Sequence, residues 1–375
     1  MFFDNASTTK IDDDILNEII KLNEDCYYNP GALYTNGRKV RSLIDKSREV
    51  IKKCLNFDGD VIFTGSATEA NNLAVFGSVN KRFKKVLVSE GEHPSIYNSI
   101  MELKNRGFDV ETLNLTSLGT VDEKDFINKM TNEVGFVSIM YVSNETGAIN
   151  DIGRLVSIAK DVNPKVVFHC DGVQAVGKIP VDVDGLGVDL FTISAHKLHG
   201  MKGVGALLVR KGMILKPIVY GGGQEHGLRS GTENAMGIVS LSMAIDKSCK
   251  NIDENYVHVA KLKNVLLDRL KDCSFSYQVF SNVDASPYIV SIGFKDCRAE
   301  TLLNMLNDEG IMVGNGSACS SKKSGNRVLE SMGFSKDYVE GNIRISFSKE
   351  NFVDEVYFLA DCLIKTVDLY LNKVR

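Results

Sequence analysis

The 375 residues include no tryptophan, an absence that limits only fluorescence assays. Eight cysteines are scattered without a Cys-x-x-Cys pair, which disfavours zinc fingers and disulfide scaffolds and reads as reduced thiols in the cytoplasm. No run approaches the roughly 18 apolar residues of a membrane span. The start, Met1-Phe2-Phe3-Asp4-Asn5, lacks the basic residues and apolar stretch of a secretory signal. Positive charge is not in excess either. Lys and Arg total 44 against 48 Asp and Glu, a net charge of −4, which argues against a protein that coats nucleic acid or anionic membrane. Internal repeats, low-complexity tracts and long linkers are missing as well.

What is present is an ordinary globular composition, 43% hydrophobic and 25% charged, in a chain long enough for about two domains. Short β-type runs occur at Val61–Thr64, Lys85–Ser89, Val110–Leu115, Phe136–Val142, Val166–His169, Leu190–Ser194 and Ala206–Val209. Helical periodicity fills several of the gaps, at Glu69–Asn80, Ser95–Arg106, Glu123–Met130 and Ile152–Asp161. This alternation predicts an α/β fold with a mainly parallel sheet covered on both faces. After about residue 235 the pattern changes to long helices around strands Ile289–Phe294 and Ile343–Phe347, the mark of a smaller α+β unit.

Five segments carry chemistry. In Ser194-Ala195-His196-Lys197, a lysine follows a buried strand, where burial lowers its pKa and a neutral amine can form a Schiff base. In Phe168-His169-Cys170-Asp171, a carboxylate ends another apolar strand. A Schiff-base lysine with an aspartate for a pyridinium nitrogen is the pairing that pyridoxal 5′-phosphate (PLP) requires. The bland readings are a surface lysine and a helix-capping aspartate. Thr64-Gly65-Ser66-Ala67-Thr68-Glu69 is a small-residue turn before a helix, fit to hold a phosphate and equally readable as a capping box. His93 lies between a strand and a helix, where it could stack on a flat cofactor or be structural. Ser143-Asn144-Glu145-Thr146-Gly147 places polar groups at a strand end, where open α/β sheets bind ligands.

These segments, with Asp4-Asn5-Ala6-Ser7-Thr8-Thr9, Asp171-Gly172-Val173-Gln174, Arg229-Ser230-Gly231-Thr232 and Gly316-Ser317-Ala318-Cys319, occur in the order seen in cysteine desulfurases. The chain resembles the NifS/IscS type of that family, within the class V aminotransferases of PLP fold type I. The resemblance implies a large PLP-binding domain over 15–250 and a small α+β domain from 1–14 and 251–375. It implies that Lys197 carries PLP, Asp171 pairs with the ring nitrogen, Gln174 with the phenolic oxygen, and His93 stacks on the ring. Ala67, Thr68, Ser194 and His196 would hold the phosphate, with Thr232 reaching the neighbouring subunit's phosphate across a homodimer. Arg344 would grip the substrate carboxylate, and Asn144 and Asn29 would complete the pocket, Asn144 beside the cofactor as well.

Cys319 sits in a small, polar stretch without helix or strand pattern, which suits a nucleophile that must enter a pocket and then reach a partner. The implied reaction converts L-cysteine to alanine and leaves the sulfur on Cys319 as a persulfide. Lys197 would take the Cα proton, and His93 is a candidate proton carrier. The acceptor would be an iron–sulfur scaffold or a transfer-RNA thiolation enzyme. No metal is expected. The segment Asn29-Pro30-Gly31-Ala32-Leu33-Tyr34 departs from the family pattern, with Tyr34 where the family often has histidine. The chain stops at Arg375, without the longer tail that some relatives use to dock a scaffold. Rival readings are a PLP aminotransferase or selenocysteine lyase, a non-catalytic binding protein on the same fold, and a metal hydrolase using His196, His199 and His226.

Overall fold

The computed structural model describes residues 1–79, 82–315 and 326–374. In chain order its elements begin with β1 (Phe2–Phe3), α1 (Asp13–Asp25), α2 (Thr35–Cys54) and β2 (Gly59–Thr64). Then follow α3 (Ala67–Ser78), β3 (Lys85–Ser89), α4 (Pro94–Asn105), β4 (Asp109–Leu113), α5 (Glu123–Lys129), β5 (Val134–Ser138), α6 (Ile152–Val162) and β6 (Val167–Asp171). A short α7 (Val183–Leu186) leads to β7 (Leu190–Ser194), β8 (Gly205–Arg210), α8 (Ala235–Lys250) and α9 (Ile252–Leu270). The remainder is β9 (Tyr277–Val279), β10 (Ile289–Phe294), α10 (Ala299–Asp308), β11 (Met312–Asn315), α11 (Arg327–Ser331), α12 (Lys336–Val339), β12 (Asn342–Ser346) and α13 (Val353–Val374).

Seven strands form the larger sheet in the order β2-β8-β7-β6-β5-β3-β4. The run from β7 to β4 is parallel, as helical crossovers dictate. β8 runs antiparallel to both β7 and β2, so the sheet is mixed. The segment 195–204 between β7 and β8 has no room for a crossover helix, and the chain therefore turns straight back. Both faces are buried with period 2: Val61 and Phe63 pack into one core, Ile62 into the other, and Ala206 and Leu208 divide from Leu207 and Val209 in the same way.

The second sheet has the order β1-β11-β12-β10-β9. Phe2 and Phe3 pair in parallel with Met312 and Val313, so the N-terminus joins residues from the far end of the chain. Leu262, Leu266, Leu302, Leu306, Leu359 and Leu363 close its core from α9, α10 and α13. β1, β9 and β11 were not expected, because pieces of two to four residues are too short to show a period. The run Phe136–Val142 pairs as a strand only to Ser138; Ile139 and Tyr141 still donate to the carbonyls of His169 and Asp171 at 3.2 and 2.9 Å, but the chain is already turning over the sheet edge. Among the described residues no helix is long and apolar enough to cross a membrane.

Candidate active site

The carboxyl ends of β3, β5, β6 and β7 open on one side of the large sheet, beneath residues 4–7 and β11–β12 of the small one. A cavity of about 610 Å³ lies between them. Lys197, Asp171, Gln174, His93, Ala67, Thr68, Asn144, His196 and Arg344 all line it. Ser194 is buried just beside it, with no hydrogen-bond partner for its hydroxyl among the described residues. Asn29 and Thr232 do not line it: both are exposed on loops of this chain. Cys319 lies outside the described residues.

Lys197 ends a three-residue 3₁₀ turn directly after β7. Its Nζ donates to the carbonyl oxygens of Ala6 and Ser7 at 2.5 Å. Burial and the nearby Arg344 lower its pKa to about 8, against the pull of Asp4 and Asp171. Asp171 is the last residue of β6 and is buried; its Oδ2 accepts from Asn71 Nδ2 at 2.9 Å and its Oδ1 from the Val173 amide at 3.0 Å. Asn71 has no role assigned from sequence. Its signal was the helical spacing from Thr68, which puts both on the side of α3 that meets the sheet ends.

The turn from β2 into α3 forms half of a capping box. Ser66 Oγ accepts from the Glu69 amide at 3.2 Å, but the Glu69 carboxylate accepts from the Gly65 amide at 2.8 Å and not from the cap itself. Arg229 holds that carboxylate at 2.7 Å. The amides of Ala67 and Thr68 have no acceptor among the described residues, so the turn offers free N–H groups at a helix start. Gly205 permits this packing: a Cβ there would stand 2.7 Å from Ser66 C and 2.8 Å from Ala67 N.

His93 caps α4, its Nδ1 bonded to Ser95 Oγ at 2.7 Å and to the Ser95 amide at 3.2 Å. The ring is fixed by its own helix and open to the cavity. Desolvation by the surrounding walls lowers its pKa, with Asp171 pulling the other way. His196 pairs with Thr8 Oγ1 at 3.2 Å, and burial beside Lys197 lowers it to about 4, so it is a neutral imidazole at physiological pH.

Arg344, on β12, is 6% exposed. One terminal nitrogen reaches Asp4 Oδ1 at 3.0 Å and Ser7 Oγ at 2.8 Å, and the other donates to the Asn144 carbonyl at 2.9 Å. Its Nε is buried and has no hydrogen-bond partner among the described residues. A Cβ at Gly314 would come within 2.6 Å of Asp4 Oδ1, so glycine there leaves room for the pair. Asn144 donates to Glu145 at 2.8 Å. Asp4, Ser7 and Glu145 were not assigned roles from sequence, because only the paired sheets bring residues 4–7 against β12.

His196 and His199 do not converge on a metal. His199 faces the Lys10 carbonyl at 3.0 Å. Among the described residues, Asp12, His199 and Glu350 come close enough to hold an ion, but Lys349 at 2.8 Å and Lys247 at 3.2 Å already occupy Asp12.

Comparison with known proteins agrees with this geometry. The family model for class V aminotransferases matches residues 1–359. A cysteine desulfurase IscS 1 of Archaeoglobus fulgidus is 34% identical over 96% of this chain and 95% of its own length. A cysteine desulfurase IscS of Dictyoglomus turgidum is 32% identical over 98% and 94%. Among solved structures, a NifS-like protein superposes with a TM-score of 0.92 at 32% identity, covering 98% of this chain and 99% of its own. The chain belongs to the class V aminotransferase family, among the cysteine desulfurases of the NifS/IscS type. Enzymes of this family depend on PLP.

Proposed function

We propose that this chain is a PLP-dependent cysteine desulfurase that takes sulfur from L-cysteine onto Cys319 as a persulfide and releases alanine. The observation that carries the reading is the convergence of Lys197, Asp171 and Arg344 on one cavity. The residues present fit the cofactor. An orphaned hydroxyl on Ser194 and two free amides at the start of α3 suit a phosphate, with Thr68 and His196 beside them. Asp171 suits a protonated ring nitrogen, Gln174 a ring oxygen, and His93 the ring face. When bound, PLP supplies an electron sink for the substrate's Cα.

The chain's own groups do the rest. Arg344, held by Asp4 and Ser7 at the cavity wall, supplies the cation for the substrate carboxylate, and Asn144 bounds the same corner. Lys197 Nζ takes and returns a proton at Cα, which its lowered pKa allows near neutrality. The neutral His93, open to the cavity, carries protons to and from the substrate. Cys319 accepts the sulfur as a thiolate. β11 lines the cavity up to Asn315, four residues before Cys319 in sequence.

In the same reading, residues 15–250 form the cofactor domain, and 1–14 with 251–375 form the small domain. The enzyme works as a cytoplasmic homodimer, in which exposed Thr232 completes the partner's phosphate site and Asn29 borders a substrate pocket. The sulfur passes to an iron–sulfur scaffold or a thiolation enzyme. The test is mass spectrometry after incubation with L-cysteine, with alanine measured in the same tube. The expected result is one extra sulfur on Cys319 with alanine formed, and both lost in Lys197→Ala. Alanine without sulfur on Cys319 would indicate a lyase that releases sulfide directly. Neither PLP nor alanine would overturn the enzyme reading.

A further inference from the structure

Lys178, four residues beyond Gln174, is a buried amine without an acidic partner among the described residues. It is 7% exposed and makes no ion pair among the described residues. Among the described residues, the charged groups that act on it are the cations Lys197 and Arg344. Lys197 and Arg344 face it from the cavity side, and His199 and Lys349 share with it the wall of a cavity of about 30 Å³ behind, room for little more than a water. Just before β10, the ring of Tyr288 faces it, 5.9 Å from Nζ to the centroid. Burial and the neighbouring cations accordingly bring its pKa down to about 7. A charge in such a place is costly and calls for an explanation.

Its side-chain hydrogen bond among the described residues supplies it. Lys178 Nζ donates to Gln174 Oε1. In its charged form Lys178 has donors only, and in that form the bond sets the orientation of the amide. Oε1 points to Lys178, and Nε2 points the other way, where it donates to the Ala6 carbonyl at 3.0 Å. Nε2 carries two protons, and Gln174 lines the main cavity, so the second proton is left for whatever lies there. A cation on the carbonyl oxygen also polarises the amide and strengthens its N–H as a donor.

We propose that Lys178 is a positioning residue acting through Gln174: its ammonium orients and polarises the amide so that Nε2–H binds an anionic oxygen on the ring of the ligand in the main cavity. The inference rests on the reading of that cavity as a PLP site. The negative charge missing around Lys178 is then brought by the ligand, with Gln174 as the link.

The test compares PLP with its 3-deoxy analogue, which lacks the ring hydroxyl, for binding to the full chain after the cofactor is stripped. Wild type should bind PLP about tenfold or more tightly than the analogue, the size of a charge-assisted hydrogen bond. In Lys178→Met that ratio should fall toward one, and the absorbance of bound PLP should titrate at a different pH. Lys178→Arg, which keeps a charged donor for Oε1, should restore most of both. Methionine matches the length and removes a buried charge, so the variant is expected to fold, which circular dichroism checks. Should it not, Lys178→Gln, with a neutral donor, takes its place and should give an intermediate ratio. An unchanged ratio and unchanged titration in a folded variant would overturn the proposal and leave Lys178 structural. If wild type binds neither ligand, the cofactor reading itself fails. If it binds both equally, only the Lys178 relay fails.

Discussion

Asn71 Nδ2 donates to Asp171 Oδ2 at 2.9 Å and to Ser95 Oγ at 2.8 Å, so one buried amide joins the helix after the small-residue turn, the end of β6 and the start of α4. The bond removes one direction in which the carboxylate could swing and leaves it directed along its remaining lone pairs. Replacing Asn71 by Ala should therefore weaken cofactor binding by about tenfold, the worth of one hydrogen bond to a charged group. Asp171→Asn keeps the side-chain size but loses the charge and one of the two acceptor oxygens, and should lower alanine release by about a hundredfold or more. Equal effects of the two substitutions on binding and on turnover would show that Asn71 does more than position Asp171.

The large sheet was legible because its strands are continuous apolar runs separated by helical periods, and Lys197 and Asp171 stand at the ends of two such runs. The support around them was not legible. Residues 4–7 contribute two carbonyl acceptors to Lys197 and a carboxylate to Arg344, and the pairing of β1 with β11 and of Asp4–Ala6 with Ser346 carries them there. Local periodicity holds no trace of a contact across more than three hundred residues. Lys178 was missed for a related reason. In sequence it is one lysine in a turn, and its burial without a counterion exists only once β6, β10 and the segment 345–349 are packed together.

Lys197 should show its depressed pKa directly. A lysine must lose its proton before it can accept another, so its reactivity rises with pH and levels off above its pKa. In the cofactor-free chain, reductive methylation of Lys197 should be half-maximal near pH 8, the value to which burial and Arg344 bring it, whereas exposed lysines titrate near 10.4. Peptide mapping by mass spectrometry separates the two. In Arg344→Met the midpoint should move upward, because a neighbouring cation has gone. A midpoint near 10 in wild type would remove the physical basis for a proton-transferring lysine here.

Arg344 should act on substrate binding more than on turnover. Its guanidinium is held by Asp4, Ser7 and the Asn144 carbonyl at the wall of the main cavity. Lysine keeps the charge but cannot meet three partners and a carboxylate together. Arg344→Lys should raise KM for L-cysteine by about ten to a hundredfold and change kcat much less. Asp4→Asn should show a smaller change of the same kind. A fall in kcat at constant KM would place Arg344 in the chemical step and not in substrate capture.

His169 provides a test of stability away from the chemistry. It is fully buried in β6, between Ser138 Oγ at 2.9 Å and Thr192 Oγ1 at 3.0 Å, and burial drops its pKa to about 3. In the unfolded chain the same imidazole titrates near 6.5. Between those values the unfolded state binds the extra proton, so folding is linked to proton release. The contribution of His169 is therefore complete above pH 6.5 and is lost progressively as the pH falls toward about 3. His169→Gln keeps a neutral hydrogen-bonding side chain that does not titrate. Urea midpoints measured from pH 7.5 down to 4.5 should fall more steeply in wild type than in the variant, the two curves converging on acidification. Parallel curves would mean that His169 is protonated in the folded state or that the strand opens to water before it titrates.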